Sequence, residues 1–204
     1  MGKHKSIMQG MVFLILLCGG SGLTWAEEEA EAPGIPWDDT SPVCVAWEAD
    51  KLFMLVSNEN PVGINCSGVF LLEKTDEGTV GVLDVPVLGF DSGEKSRDEE
   101  VAEILGADGA KSISFKTKPY TRSDWRINVM DAKGRVDGVL TIAGKETPVT
   151  LSFVAEGDYL LGRLETSFTA LRLEPPSVGW GSIALVRDPL VLHFRVKKTL
   201  TQIF

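Results

Sequence analysis

Apolar and polar side chains alternate with a period of two along most of the chain beyond residue 40. The clearest run is Gly134–Val154, where Val136, Gly138, Leu140 and Ile142 fall at every second position between Arg135, Asp137 and Thr141. After Gly144-Lys145-Glu146 the alternation resumes, with Val149, Leu151 and Phe153 set against Thr150 and Ser152. A period of two places one set of side chains on each face of a strand. Two such runs around a short glycine-containing turn predict an antiparallel hairpin with one apolar face.

The same signal recurs on both sides of this hairpin. Val43–Trp47 and Leu52–Val56 read as two short strands divided by a turn at Glu48-Ala49-Asp50-Lys51, and Ser67–Leu72 and Thr79–Leu88 as two more around Thr75-Asp76-Glu77-Gly78. Ile113 and Phe115 alternate with serines and a lysine, and Trp125, Ile127 and Val129 alternate with Arg126 and Asn128. Farther on, Leu160, Gly162, Leu164, Thr166 and Phe168 share a face, as do Leu190, Leu192, Phe194 and Val196. One segment departs from the pattern. Ser96–Leu105 carries Val101, Ile104 and Leu105 at helical spacing, with Ser96 and Glu99 in a capping-box arrangement and Gly106 as a stop. The prediction is an all-β fold of about eight to ten antiparallel strands with one short inserted helix. Strands that are each apolar on one side must close into a barrel or fold in two. Alternation does not separate a barrel with a cavity from one filled by its own side chains.

The amino terminus is of another kind. Lys3, His4 and Lys5 precede the apolar run Met11–Leu17 and the small residues Gly19–Gly22, and Thr24-Trp25-Ala26 fits a small-x-small cleavage site. This is a secretory signal peptide over residues 1–26. Its apolar run is well short of the roughly 20 residues of a spanning helix. Leu17 stands where lipoprotein processing at Cys18 requires a small residue. Residues 27–39, acidic and carrying Pro33 and Pro36, read as a flexible leader. Residues 40–204 form the folded domain. Export to the periplasm or beyond is the expected destination.

Loss of the signal changes the charge and the cysteine count. It removes two of 20 basic residues and leaves all 29 acidic ones, a net charge near −11. Such a surface repels nucleic acid and anionic headgroups, so neither nucleic-acid binding nor stable membrane insertion is expected. Cys44 and Cys66 remain as an even pair in an oxidising compartment. A bond between them would close a loop of about 22 residues, worth about 3 kcal/mol. Two buried thiols are the alternative.

Catalytic material is sparse. His193 is the one histidine of the mature chain and lies on the strand face opposite Leu192 and Phe194, which predicts an outward, solvated side chain. Gly179-Trp180-Gly181-Ser182 lacks a nucleophile-elbow pattern. Cys44 and Cys66 are too far apart for a redox Cys-x-x-Cys, and one histidine does not build a usual zinc or haem site. Asp98-Glu99-Glu100 reads as a solvated helix face. Trp47, Trp125 and Trp180 fit either the core or a barrel mouth. No catalytic residue, metal or cofactor is assigned, and the chain is read as a non-enzyme.

Two segments carry a resemblance. Gly138-Val139-Leu140-Thr141-Ile142-Ala143-Gly144 followed by Thr147-Pro148-Val149-Thr150-Leu151, and upstream Phe90-Asp91-Ser92-Gly93-Glu94-Lys95-Ser96-Arg97-Asp98, resemble hallmarks of the YceI-like, lipocalin-like family. Lys111–Lys116 matches the strand after that family's helix, while Phe168–Arg172 and Asp188–Val196 match more loosely. Departures cluster near the predicted mouth. Ile104-Leu105-Gly106 replaces an aromatic pair and acid, no proline precedes Ile113, Glu146 replaces a threonine, and Arg172-Leu173-Glu174-Pro175-Pro176 replaces an Arg-x-Asp-aromatic-Gly segment.

The resemblance implies an extended antiparallel barrel, periplasmic, holding an apolar ligand such as an isoprenoid lipid or quinone. Phe115, Leu140, Ile142, Leu151, Phe153, Leu192 and Phe194 would line the tunnel. Arg97, at the helix start, would orient a headgroup or else pair with a loop carboxylate. The rival expectation is a ligand-free envelope protein with a filled barrel that acts through protein contacts. A hydrolase using His193 comes third. The oligomeric state stays open between monomer and homodimer.

Overall fold

A computed structural model describes residues 34–53, 57–130, 133–176 and 184–202. The predicted signal peptide, the leader as far as Pro33, and Gly179-Trp180-Gly181-Ser182 lie outside them.

Ten strands in the described residues build one antiparallel sheet: β1 (Val43–Phe53), β2 (Ser57–Glu59), β3 (Val62–Asn65), β4 (Val69–Thr75), β5 (Gly78–Pro86), β6 (Ser112–Thr117), β7 (Lys133–Ile142), β8 (Lys145–Glu156), β9 (Tyr159–Ser167) and β10 (Ala184–Lys197). Their spatial order is β2-β1-β10-β9-β8-β7-β6-β5-β4, with β3 pairing β1 beyond β2. Neighbours in sequence are mostly neighbours in space, so the meander curls into a half-barrel around one apolar face. The carboxyl-terminal strand β10 inserts beside β1, with Val45 opposite Phe194 and Trp47 opposite Leu192. The two ends of the curl are tied by a single backbone bridge, Ile64 with Asp91, and by the Asn65 side chain rather than by a full ladder. Asn65, 1% exposed, donates from Nδ2 to the Pro86 carbonyl at 2.9 Å, and its Oδ1 accepts from the Ser67 amide at 2.9 Å.

The inward rows match the predicted alternation. Leu140, Ile142, Leu164, Leu192 and Phe194 are all buried. The β7–β8 hairpin forms in the expected register, with Val136 opposite Leu151, but its turn is tighter than the sequence suggested. Ile142 pairs with Lys145, leaving Ala143 (φ 50°) and Gly144 (φ 73°) as a two-residue loop. Positive φ at both central residues is the twist that hairpins favour, and Ala143 bears some strain to adopt it.

Four expectations are corrected. Glu48-Ala49-Asp50-Lys51 is no turn: β1 runs through it, with a bulge between Ala49 and Lys51 absorbing the extra residue. Trp125, Ile127 and Val129 form no strand. Thr121 Oγ1 accepts from the Asp124 amide and starts the helix α2 (Arg122–Trp125), which widens into a π-type turn over Arg126–Met130. Trp125 and Val129 then share one face four residues apart and are buried, while Ile127 points out. The inserted helix α1 (Lys95–Ile104) is where the sequence placed it, but Glu94 caps it instead of Ser96. The Glu94 carboxylate accepts from the Ser96 amide and hydroxyl, which holds it below the usual carboxylate range. Gly106 (φ 79°) ends this helix as expected.

The fourth correction concerns His193. It does lie on the face opposite Leu192, yet it is 4% exposed rather than solvated. Its Nε2 sits 3.1 Å from Glu48 Oε2 across the β1–β10 ladder, and Asn60 donates to Glu48 Oε1 at 3.0 Å. Two positions along the same face, the Arg195 guanidinium donates to the Asp38 carbonyl and to Asp39, and lies 3.7 Å from the Tyr159 ring centroid. The described end of the leader is thereby tied to β10. Cys44, also on this face and fully buried, is bonded to Cys66 with Cα atoms 4.0 Å apart.

Candidate functional site

A cavity of about 260 Å³ opens at the end of the half-barrel beneath α1. Its walls are the inward rows of four strands. Val45, Trp47 and Ala49 come from β1, Leu190, Leu192 and Phe194 from β10, and Ile113, Leu140 and Ile142 from β6 and β7. Val101 and Ile104 of α1 close the top, with Phe168 and Leu173 beside them. The strands supply these side chains because period-two alternation aims every second residue inward. The helix contributes through positions three apart on one face.

Charge is confined to the rim. Lys51, Glu94, Arg97 and Glu100 border the opening while the interior is apolar. Among the described residues Arg97 and Lys51 have no carboxylate within ion-pair distance. The expected alternative for Arg97, clamping the helix to a loop carboxylate, is performed by its neighbour. Asp98 Oδ1 accepts from the Ser92 amide at 3.0 Å and from the Ser92 hydroxyl at 2.6 Å, fixing the loop that leads into α1. Arg97 is left half-buried at the rim.

Of the predicted lining set, Leu140, Ile142, Leu192, Phe194 and Arg97 border this cavity. Phe115, Leu151 and Phe153 do not. They share the inward rows of the same half-barrel, and the rings of Phe115 and Phe153 pack against glycines. A Cβ on Gly138 would meet the Phe115 ring at 2.6 Å, one on Gly134 the Phe153 ring at 2.4 Å, and one on Gly81 the Trp125 ring at 2.7 Å. Each ring therefore occupies room that a glycine vacates. The sequence reading left Trp47 open between the core and a barrel mouth, and it missed the contributions of Phe90 and Leu190, and the α1 residues Val101 and Ile104 as a ceiling. For the last two the helical apolar spacing was the available signal.

The His193–Glu48 pair lies on the other face of the sheet from this cavity. Burial lowers the histidine's pKa from its ordinary value, opposed by Glu48 and reinforced by the nearby positive charge of Arg163. Among the described residues no group of three metal-ligating side chains comes together. No described helix is long and apolar enough to cross a membrane.

Residues 56–197 match the YceI-like domain family, and with this coverage the chain belongs to that family. The fold is shared with BcnA from Burkholderia cenocepacia, at 18% identity and a TM-score of 0.53, over 75% of this chain and 94% of that one. It is also shared with a polyisoprenoid binding domain from Saccharophagus degradans, at 8% identity and a TM-score of 0.50, over 76% and 96% of the two chains. No curated protein matches the chain by sequence. At these identities the structural likeness carries the fold alone.

Proposed function

We propose that this protein is an exported carrier that shields the apolar tail of a small amphiphile from water, without chemical turnover. The observation that carries the reading is a cavity apolar throughout its interior and charged only at its rim. Each methylene transferred from water into such a site gains about 0.8 kcal/mol, with little demand for polar contacts. An isoprenoid lipid or quinone has this chemistry, and the polyisoprenoid-binding relative supports the class. Arg97 and Lys51 would face the headgroup. The Cys44–Cys66 bond supports an oxidising compartment such as the periplasm.

Trp47 reports on the cavity, because its indole forms part of the wall. Titration with a brominated alkyl chain is expected to quench its fluorescence saturably, with the saturable component absent from Trp47→Phe. Quenching that is weak, linear in quencher and equal in the two proteins would favour the filled-barrel reading.

A further inference from the structure

We infer that residues 92–110, with α1 at their centre, are a lid that lifts as one body to admit the ligand and is drawn shut by it. The inference rests on the carrier reading and adds the route of entry. Two stems hold the segment. Asp91 exchanges two backbone hydrogen bonds with Ile64 of β3, at 2.9 and 3.0 Å, and the Val87 amide donates to the Lys111 carbonyl at 3.0 Å. Between the stems, every hydrogen bond and ion pair among the described residues stays inside the segment or reaches back to Asp91. Ser92 is bonded to Asp98, Glu94 to Ser96 and Lys95 to Glu99, while the Gly93 amide donates to the Asp91 carboxylate. The Gly109 and Ala110 amides both donate to the Gly106 carbonyl. The segment is braced within itself and, among the described residues, has no polar tie to the sheet.

What the segment offers the rest of the protein is apolar. No residue of α1 is buried; Val101 and Ile104 are half-buried, and with Leu105 just beyond the helix they border the cavity. Lifting therefore breaks no hydrogen bond between segment and sheet, and local opening is easiest where such ties are few. Gly93 (φ 76°) and Gly106 (φ 79°) stand at the two ends, where a glycine backbone turns without a side chain's penalty. A Cβ at 93 would meet nothing within 4 Å, so this end has room to move. An apolar chain in the cavity touches Val101, Ile104 and Leu105 only in the closed position. That difference in contact is what shifts the equilibrium toward closure.

The test is a pair of distances between nitroxide labels. Glu103→Cys on the lid and Ser152→Cys on β8, both at exposed positions, carry the labels, and Cys44 and Cys66 are bonded to each other and do not react. Lys95→Cys with Glu103→Cys, both on α1, is the internal control. The probe is ω-bromododecanoate, whose binding is read from the quenching of Trp47. The lid-to-sheet distances are expected to be broad or two-peaked in the free protein and to collapse to one narrow peak with the probe bound. The α1 pair stays narrow throughout. A lid-to-sheet distribution that the bound probe leaves unchanged overturns the lid and leaves the carrier reading standing. Broadening of the α1 pair in step with the other also overturns it, because the segment then unfolds instead of lifting. A probe that neither quenches Trp47 nor alters the distances overturns both.

Discussion

The indole of Trp47 fills the space that a side chain at Gly63 would need. The two residues face each other across β1 and β3, and a Cβ at 63 would lie 2.4 Å from Trp47 Nε1 and Cε2. Contacts that short do not persist, so Gly63→Ala must push the indole toward the cavity it lines. The expected result is a loss of about 1–3 kcal/mol in urea unfolding, together with weaker binding of any cavity ligand. Unchanged stability and affinity would show that the indole has another place to go.

Cys44 and Cys66 bridge β1 to the segment after β3, closing a loop of 22 residues. Reduction, or Cys44→Ser with Cys66→Ser, is expected to cost about 3 kcal/mol through the freer unfolded chain. Melting curves with and without a reductant measure it. The cavity lies on the opposite sheet face from Cys44, so ligand affinity in the folded fraction should be retained.

His193 makes stability depend on pH in a separable window. Its pKa is lower folded than unfolded, so the unfolded chain takes up the proton first as pH falls. Its contribution is complete above the ordinary value of about 6.5 and is lost as pH drops below it. Glu48 faces it across the ladder, Arg163 lies near, and Arg195 shares its face. The carboxylates held low by hydrogen bonds behave differently. Asp38, lowered to about 2 by Ser41 and Thr40, loses its contribution only below about pH 4. Urea midpoints should therefore fall between pH 7.5 and 5.5, and His193→Gln should flatten that interval. An equal fall in the variant would assign it to other groups.

Arg97 and Asp98 are adjacent but separable. Asp98→Ala removes both bonds to Ser92 and is expected to cost about 1–2 kcal/mol. Arg97→Ala should change stability by less than about 0.5 kcal/mol, as at surface positions without partners. It should instead reduce the preference for a carboxylate over an alcohol of equal chain length. The opposite pattern would make Arg97 the clamp.

Much of the barrel was legible because period-two alternation reports burial directly. Leu190, Leu192, Phe194 and Val196 were one face on paper and are one buried row in space. The pattern misled where two periods coincide. Trp125, Ile127 and Val129 satisfy alternation, but Trp125 and Val129 also satisfy a spacing of four, and Thr121 supplied the cap that decided between them. His193 was placed on the correct face and given the wrong environment, since its partner Glu48, and Asn60 that holds Glu48, come from segments more than 130 residues away. Phe115 and Phe153 were read as tunnel lining from the family resemblance, and neither borders the cavity. Their rings pack instead against the glycines at 138 and 134, one strand away.

The central claim is that the cavity holds a ligand in the cell. Purification of the native protein from its own compartment without detergent, followed by organic-solvent extraction and mass spectrometry, tests it most directly. A lipid or quinone near one equivalent per protein, displaced by a brominated chain that quenches Trp47, is the expected result. Extracts with no stoichiometric amphiphile, from folded protein whose Trp47 is not quenched, would contradict it.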